Sequence, residues 1–124
     1  MSRSILVVED HPDNRKLVCW YLEDAGYSFE AVETGEEALA VLEQRSFGLV
    51  LMDISLPGID GKETTRRLRA NLRFKDLPIL AVTAHAVSGE AEDILNSGVN
   101  GLITKPILEE ELLEAIATWI GSDS

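Results

Sequence analysis

Five polar residues stand at the ends of short apolar runs. Glu9 and Asp10 follow Ile5-Leu6-Val7-Val8, Asp53 follows Leu49-Val50-Leu51-Met52, Thr83 follows Ile79-Leu80-Ala81-Val82, and Lys105 comes shortly after Leu102-Ile103. If these runs lie side by side, three carboxylates, a hydroxyl and an ammonium meet on one rim. Carboxylates brought that close do not all stay ionised without compensation. A hard cation relieves the repulsion, and Mg²⁺ takes one or two carboxylates, several waters and phosphate oxygens. Lys105 offers a point charge to a phosphoryl group, and Thr83 a hydroxyl that donates to a phosphoryl oxygen. The chemistry this set supports is Mg²⁺-assisted phosphoryl transfer, which rests on positioning and charge stabilisation.

Asp53 is the expected acceptor. It ends a central apolar run, and the following Ile54-Ser55-Leu56-Pro57-Gly58 contains a Pro-Gly turn pair that lets backbone carbonyls face a metal. An aspartyl phosphate is a known covalent intermediate. Glu9 and Asp10 are the expected metal ligands, direct or through water. Taken singly, each residue has a plainer role: a strand-end Asp commonly caps a helix or makes a turn, and Lys105 alone would be a surface charge. The case rests on all five standing at the ends of four different runs.

The elements that must position them are legible from periodicity. The first, third and fourth runs are apolar on successive residues, as strands buried on both faces are. Phe29-Glu30-Ala31-Val32 alternates more, as an edge strand does, and Leu102-Ile103 is short. Between them lie helical patterns. Asn14, Leu17, Val18, Tyr21, Leu22 and Ala25 share one face, with Gly26 at the C′ position. Thr34-Gly35-Glu36-Glu37 reads as a capping box, and Asp60 with Glu63 as an acidic version opening a helix through Leu68 and Leu72. A helix from about His85 to Asn96 carries Ala91, Ile94 and Leu95. The last carries Leu108, Leu112, Leu113, Ile116, Trp119 and Ile120, and ends at Gly121. Strand and helix alternating five times predict a doubly wound α/β domain with a parallel sheet and helices on both faces. In such sheets ligands bind beyond the carboxyl ends of the strands.

Composition narrows the classes. The 124 residues are 45% hydrophobic, enough for one folded domain spanning 1–124, and carry 11 Lys+Arg against 22 Asp+Glu for a net charge of −11. That charge disfavours nucleic acid and anionic lipid and favours divalent cations and basic partner surfaces. No apolar run reaches the roughly 20 residues of a membrane span, and no secretory leader is evident, so a cytoplasmic location is expected. The lone Cys19 excludes a disulfide framework.

These residues resemble the receiver domain of two-component response regulators over about Ser4 to Ile120. Ile5-Leu6-Val7-Val8-Glu9-Asp10 resembles the first strand with its acidic pair. Leu51-Met52-Asp53-Ile54-Ser55-Leu56-Pro57-Gly58-Ile59-Asp60-Gly61 resembles the phosphoacceptor loop. Ala81-Val82-Thr83-Ala84 and Thr104-Lys105-Pro106 resemble the hydroxyl and lysine-proline segments. The resemblance implies a five-stranded sheet of order 2-1-3-4-5 with five helices, and transfer from the phosphohistidine of a kinase or phosphotransfer protein to Asp53 with Mg²⁺. It implies Asp10 as a direct metal ligand, Glu9 acting through water and the Ser55 backbone carbonyl completing the set. Lys105 would pair with the phosphoryl group, Thr83 would move towards it, and small Ala84 would leave it room. It also implies a cis Lys105-Pro106 bond. Leu102 departs from the aromatic residue the family often has there, so the aromatic readout is in question.

Other readings fit less well. A haloacid-dehalogenase-type phosphatase needs a second acid two residues after the nucleophile, where Ser55 stands. An FMN binder needs a phosphate cradle where Glu9-Asp10-His11-Pro12-Asp13 is acidic. A degenerate receiver serving only as an acidic interaction module would have lost a site residue. His11 and His85 lack partners at metal-ligand spacing, although His85 and Ser55 occupy positions where the family tunes water access. Docking is expected at the start of the first helix and the loop after Lys105, through Asn14, Arg15, Pro106 and Ile107, with Trp20 as an outer anchor. Trp20 falls off the buried face of its helix. A weak or phosphorylation-dependent dimer is compatible with this reading. The end of the chain near Gly121 favours a stand-alone module or phosphorelay intermediate.

Overall fold

The computed structural model describes residues 4–84 and 88–120. Strands β1 (Ile5–Val8), β2 (Phe29–Val32), β3 (Leu49–Asp53), β4 (Ile79–Thr83) and β5 (Gly101–Thr104) alternate with helices α1 (Pro12–Asp24), α2 (Gly35–Gln44), α3 (Gly61–Arg69), α4 (Ser88–Asn96) and α5 (Glu109–Trp119). The sheet is parallel throughout, in the expected order β2-β1-β3-β4-β5, with β2 on an edge.

Strand alternation divides the core into two layers. Leu6, Val8, Val50, Met52, Ile79 and Ala81 pack with Ala38 and Leu42 of α2, Leu68 of α3 and Ile94 of α4. Ile5, Val7, Leu49, Leu51, Leu80 and Val82 pack instead with Val18 and Leu22 of α1 and Leu112 and Ile116 of α5. Burying both faces is what made these runs continuously apolar.

Both N-terminal caps read from sequence form. The Thr34 hydroxyl accepts the Glu37 N–H at 3.0 Å, while the Glu37 carboxylate takes the Glu33 N–H at 3.1 Å. Asp60 Oδ1 accepts the Glu63 N–H at 2.8 Å. Such caps each contribute about 1 kcal/mol.

Helix ends differ from expectation in several places. Helix α3 stops at Arg69, and Leu72 is 82% exposed, because Asn71 accepts the Arg73 N–H and starts a 3₁₀ turn over Leu72–Phe74. That turn rotates the chain, so Phe74 enters the core instead. The turn is held by Arg69, whose guanidinium donates to the carbonyls of Phe74 at 2.7 Å and Gly98 at 2.9 Å, and to Asn100 Oδ1 at 2.9 Å. Ala25 is exposed at the C-cap of α1, and Leu95 lies outward on α4, which packs through Ile94. The expected start of that helix at His85 and the stop at Gly121 lie outside the described residues. Leu108 caps α5 from the surface, and Trp119 is partly exposed.

Candidate functional site: an acidic rim at the strand ends

Register builds the rim. Val8 pairs with Met52, so Glu9 and Asp53 are the next residues up their adjacent strands. Asp53 pairs with Val82, which puts Thr83 one residue beyond, and Thr83 pairs with Thr104, which puts Lys105 next. Alternation places Asp53 in the row of Leu49 and Leu51, on the α1/α5 side. Thr83 falls in the row of Ile79 and Ala81, on the α2/α3/α4 side.

Glu9, Asp53 and Thr83 are each 3% exposed. Glu9, Asp10 and Asp53 offer carboxylate oxygens that all lie within 4.8 Å of one another. The Lys105 ammonium lies 3.4 Å from Asp53 Oδ2 and 3.6 Å from Glu9 Oε1. The Ser55 N–H donates to Asp53 Oδ1 at 3.0 Å and the His11 N–H to Glu9 Oε2 at 3.1 Å. Glu9 is pushed up to about 7, first by burial and then by its hydrogen bond with Asp53; the Asp53 charge adds to this, while the His11 N–H and Lys105 oppose it. A carboxyl pushed up by burial and by a neighbouring carboxylate marks a site short of positive charge, and one ammonium does not supply it. The oxygen-only donor set fits a hard divalent cation such as Mg²⁺.

Two glycines shape the loop after Asp53. Gly58 sits at φ +73°, which the Pro-Gly turn requires, and a Cβ on Gly61 would lie 2.2 Å from the Asp53 carbonyl oxygen. Helix α3 therefore starts directly against the Asp53 backbone, with the Gly61 N–H bonded to Ile54 O at 3.1 Å. The Lys105-Pro106 bond is cis.

The residues expected at the docking surface separate into two groups. Asn14 is half-buried on the first turn of α1, Pro106 is exposed, and Trp20 is 67% exposed, stacked on Tyr21 at 6.4 Å between centroids. Ile107 does not belong there. It is 5% exposed and packs in the α1/α5 layer, because the turn after Pro106 points it inward and leaves Leu108 outside at 53% exposure. Arg15 is also turned inward, with its guanidinium 3.1 Å from the Glu9 carbonyl oxygen and 3.4 Å from that of Asp10. Leu108, which the sequence placed both in the loop flanking the rim and on the apolar face of the last helix, is the exposed apolar residue of that loop, and the inward reach of Arg15 had no sequence signal. Cys19 is half-buried, and burial pushes its thiol up, away from the reactive thiolate.

The response regulator receiver domain model matches residues 5–117. The chain belongs to this family. It is 42% identical over 120 residues to the sensor protein GacS of Pseudomonas syringae pv. syringae, a stretch covering 94% of this chain but 13% of GacS, so it spans a small part of that relative. The receiver domain of sensor histidine kinase PA1611 from Pseudomonas aeruginosa PAO1, solved with a magnesium ion coordinated in its active site cleft, matches at TM-score 0.90. That structure is 36% identical, with 98% of this chain and 100% of that one covered. A co-crystal structure of the Saccharomyces cerevisiae histidine phosphotransfer protein Ypd1 with the receiver domain of its downstream response regulator Ssk1 matches at TM-score 0.88 and 25% identity, covering 95% and 88% of the two chains. Among the described residues no helix is long and apolar enough to cross a membrane.

Proposed function

We propose that Asp53 accepts a phosphoryl group from the phosphohistidine of a histidine kinase or phosphotransfer protein, with Mg²⁺ held by Glu9, Asp10, Asp53 and the Ser55 carbonyl. The observation that carries this reading is the buried Asp53 carboxylate ending β3, with Lys105 Nζ at 3.4 Å and two further carboxylates beside it. An Asp53 oxygen forms the new bond to phosphorus as the phosphohistidine P–N bond breaks, and the imidazole leaves neutral, keeping the proton on its other nitrogen. The Ser55 N–H holds the carboxylate in place, and Lys105 pairs with the transferred group. The cation, when bound, neutralises charge on the phosphoryl oxygens. Thr83 turns its hydroxyl towards the product, and Ala84 leaves room for it. Slow hydrolysis of the aspartyl phosphate at the same site resets the domain, which is a signalling phosphoacceptor and not an enzyme acting on other substrates.

The partner docks where Asn14, Pro106 and Leu108 flank the rim, with Trp20 farther along α1. The net charge of −11 supports a protein partner with a basic docking patch over nucleic acid or an anionic membrane, and a weak or phosphorylation-dependent dimer is compatible with this reading. The test is labelling with acetyl phosphate and Mg²⁺. Wild type should be labelled once, Asp53→Asn not at all, and chelator should abolish the signal. Labelling that survives either change overturns the assignment.

A further inference from the structure

Strand β1 ends its ladder at Val8, and the chain then makes the turn that carries both metal-ligand candidates of β1. The Glu9 N–H is still held, by Val32 O at 3.0 Å. The carbonyls of Glu9 and Asp10 lie beyond the ladder, where buried backbone acceptors need another partner. Both are met by one group: Arg15 Nη1, from the first turns of α1, at 3.1 Å and 3.4 Å. The same nitrogen lies 3.8 Å from Glu33 Oε1, just past the end of β2. The Arg15 side chain is 23% exposed, so its two carbonyl contacts are partly buried, whereas Glu33 is 63% exposed.

We infer that Arg15 is a positioning residue for the acidic pair: its guanidinium fixes the Glu9 and Asp10 peptides so that their carboxylates converge on Asp53. This rests on the Mg²⁺ reading above. A guanidinium presents several donors in a fixed fork, whereas a lysine ammonium is a point charge on a flexible stem. Groups that orient metal ligands typically contribute roughly 10–100-fold in metal affinity.

Two rival roles make opposite predictions. As a bare cation near the metal, Arg15 would oppose Mg²⁺, and its removal would tighten binding. As a docking contact, its removal would slow transfer from a phosphohistidine donor and leave Mg²⁺ binding alone. The experiment measures the Mg²⁺ dissociation constant by calorimetry on wild type, Arg15→Met, Arg15→Lys and Asp10→Ala, at a temperature where melts in EDTA show each folded. Loss of Mg²⁺ binding in Asp10→Ala establishes the site itself, and its persistence there refutes the Mg²⁺ reading. Given that site, positioning predicts a weakening of roughly 10–100-fold in Arg15→Met and a smaller one in Arg15→Lys. Unchanged or tighter binding in Arg15→Met overturns the inference and leaves the Mg²⁺ site standing.

Discussion

Lys105 and Asp53 are 52 residues apart in sequence, yet the ammonium of one lies 3.4 Å from the carboxylate of the other at the ends of β5 and β3. Lys105 is also the only cation paired with Glu9 or Asp53 among the described side-chain ion pairs. Replacing it with Ala should slow acetyl-phosphate labelling of Asp53 by on the order of 100-fold, the scale of losing one preorganised charge-stabilising donor. Labelling kinetics that match wild type would remove Lys105 from the reaction.

Mg²⁺ should raise thermal stability, since it binds the folded rim and not the unfolded chain. At a hundredfold excess over the dissociation constant the gain is about 2.7 kcal/mol. Asp10→Ala should lose that gain. A melting shift that persists in the variant would locate the cation elsewhere.

The metal-free protein should lose stability as pH rises. Glu9 goes from an ordinary value of 4.5 to about 7 on folding, so the folded state holds this proton more tightly than the unfolded chain does. Its contribution is complete below 4.5, declines above it, and is lost as pH passes about 7. Urea unfolding in EDTA at pH 5 and pH 8 should show the difference, and Glu9→Gln should flatten it. An equal slope in the variant would assign the effect to other groups.

Ile107 and Leu108 should behave in opposite ways. Ile107→Ala removes a buried side chain and should cost about 2–5 kcal/mol of stability. Leu108→Asp sits outside the core; it should leave stability and acetyl-phosphate labelling near wild type while slowing transfer from the cognate phosphohistidine donor. Parallel losses with both donors in Leu108→Asp would count against the docking surface.

Most of the architecture was legible because both faces of the sheet are buried. Runs such as Leu49-Val50-Leu51-Met52 therefore carry no competing helical period, and Thr34 and Asp60 announce their helices through side chains that bond three residues on. The convergence of Glu9, Asp10, Asp53 and Lys105 was legible because such residues are chemically unusual at strand ends. What escaped were places where one residue decides a rotation of the chain. Asn71 captures the Arg73 N–H and turns Phe74, not Leu72, into the core. At Ile107 and Leu108 two adjacent apolar residues face opposite ways, and periodicity does not say which faces in. The carbonyl contacts of Arg15 escaped because a charged residue early in a helix gives no sign of which carbonyls it will reach.

The Arg69 clamp has a mechanical corollary. Its guanidinium grips Gly98 and Asn100, just past the C-terminal end of α4, and ties both to the turn at Phe74; Asn100 also holds the Ile79 N–H at the foot of β4. The other end of α4 leads back towards Thr83 on the rim. Between them the helix is tied to α3 by the exposed Lys62–Asp93 pair, a contact of the kind that contributes little in water. Helix α4 is thus a lever riveted at its far end. If Thr83 moves on phosphorylation as proposed above, this far-end clamp favours tilting of α4 over sliding, so displacement should grow towards Ser88 and fade at Asn96.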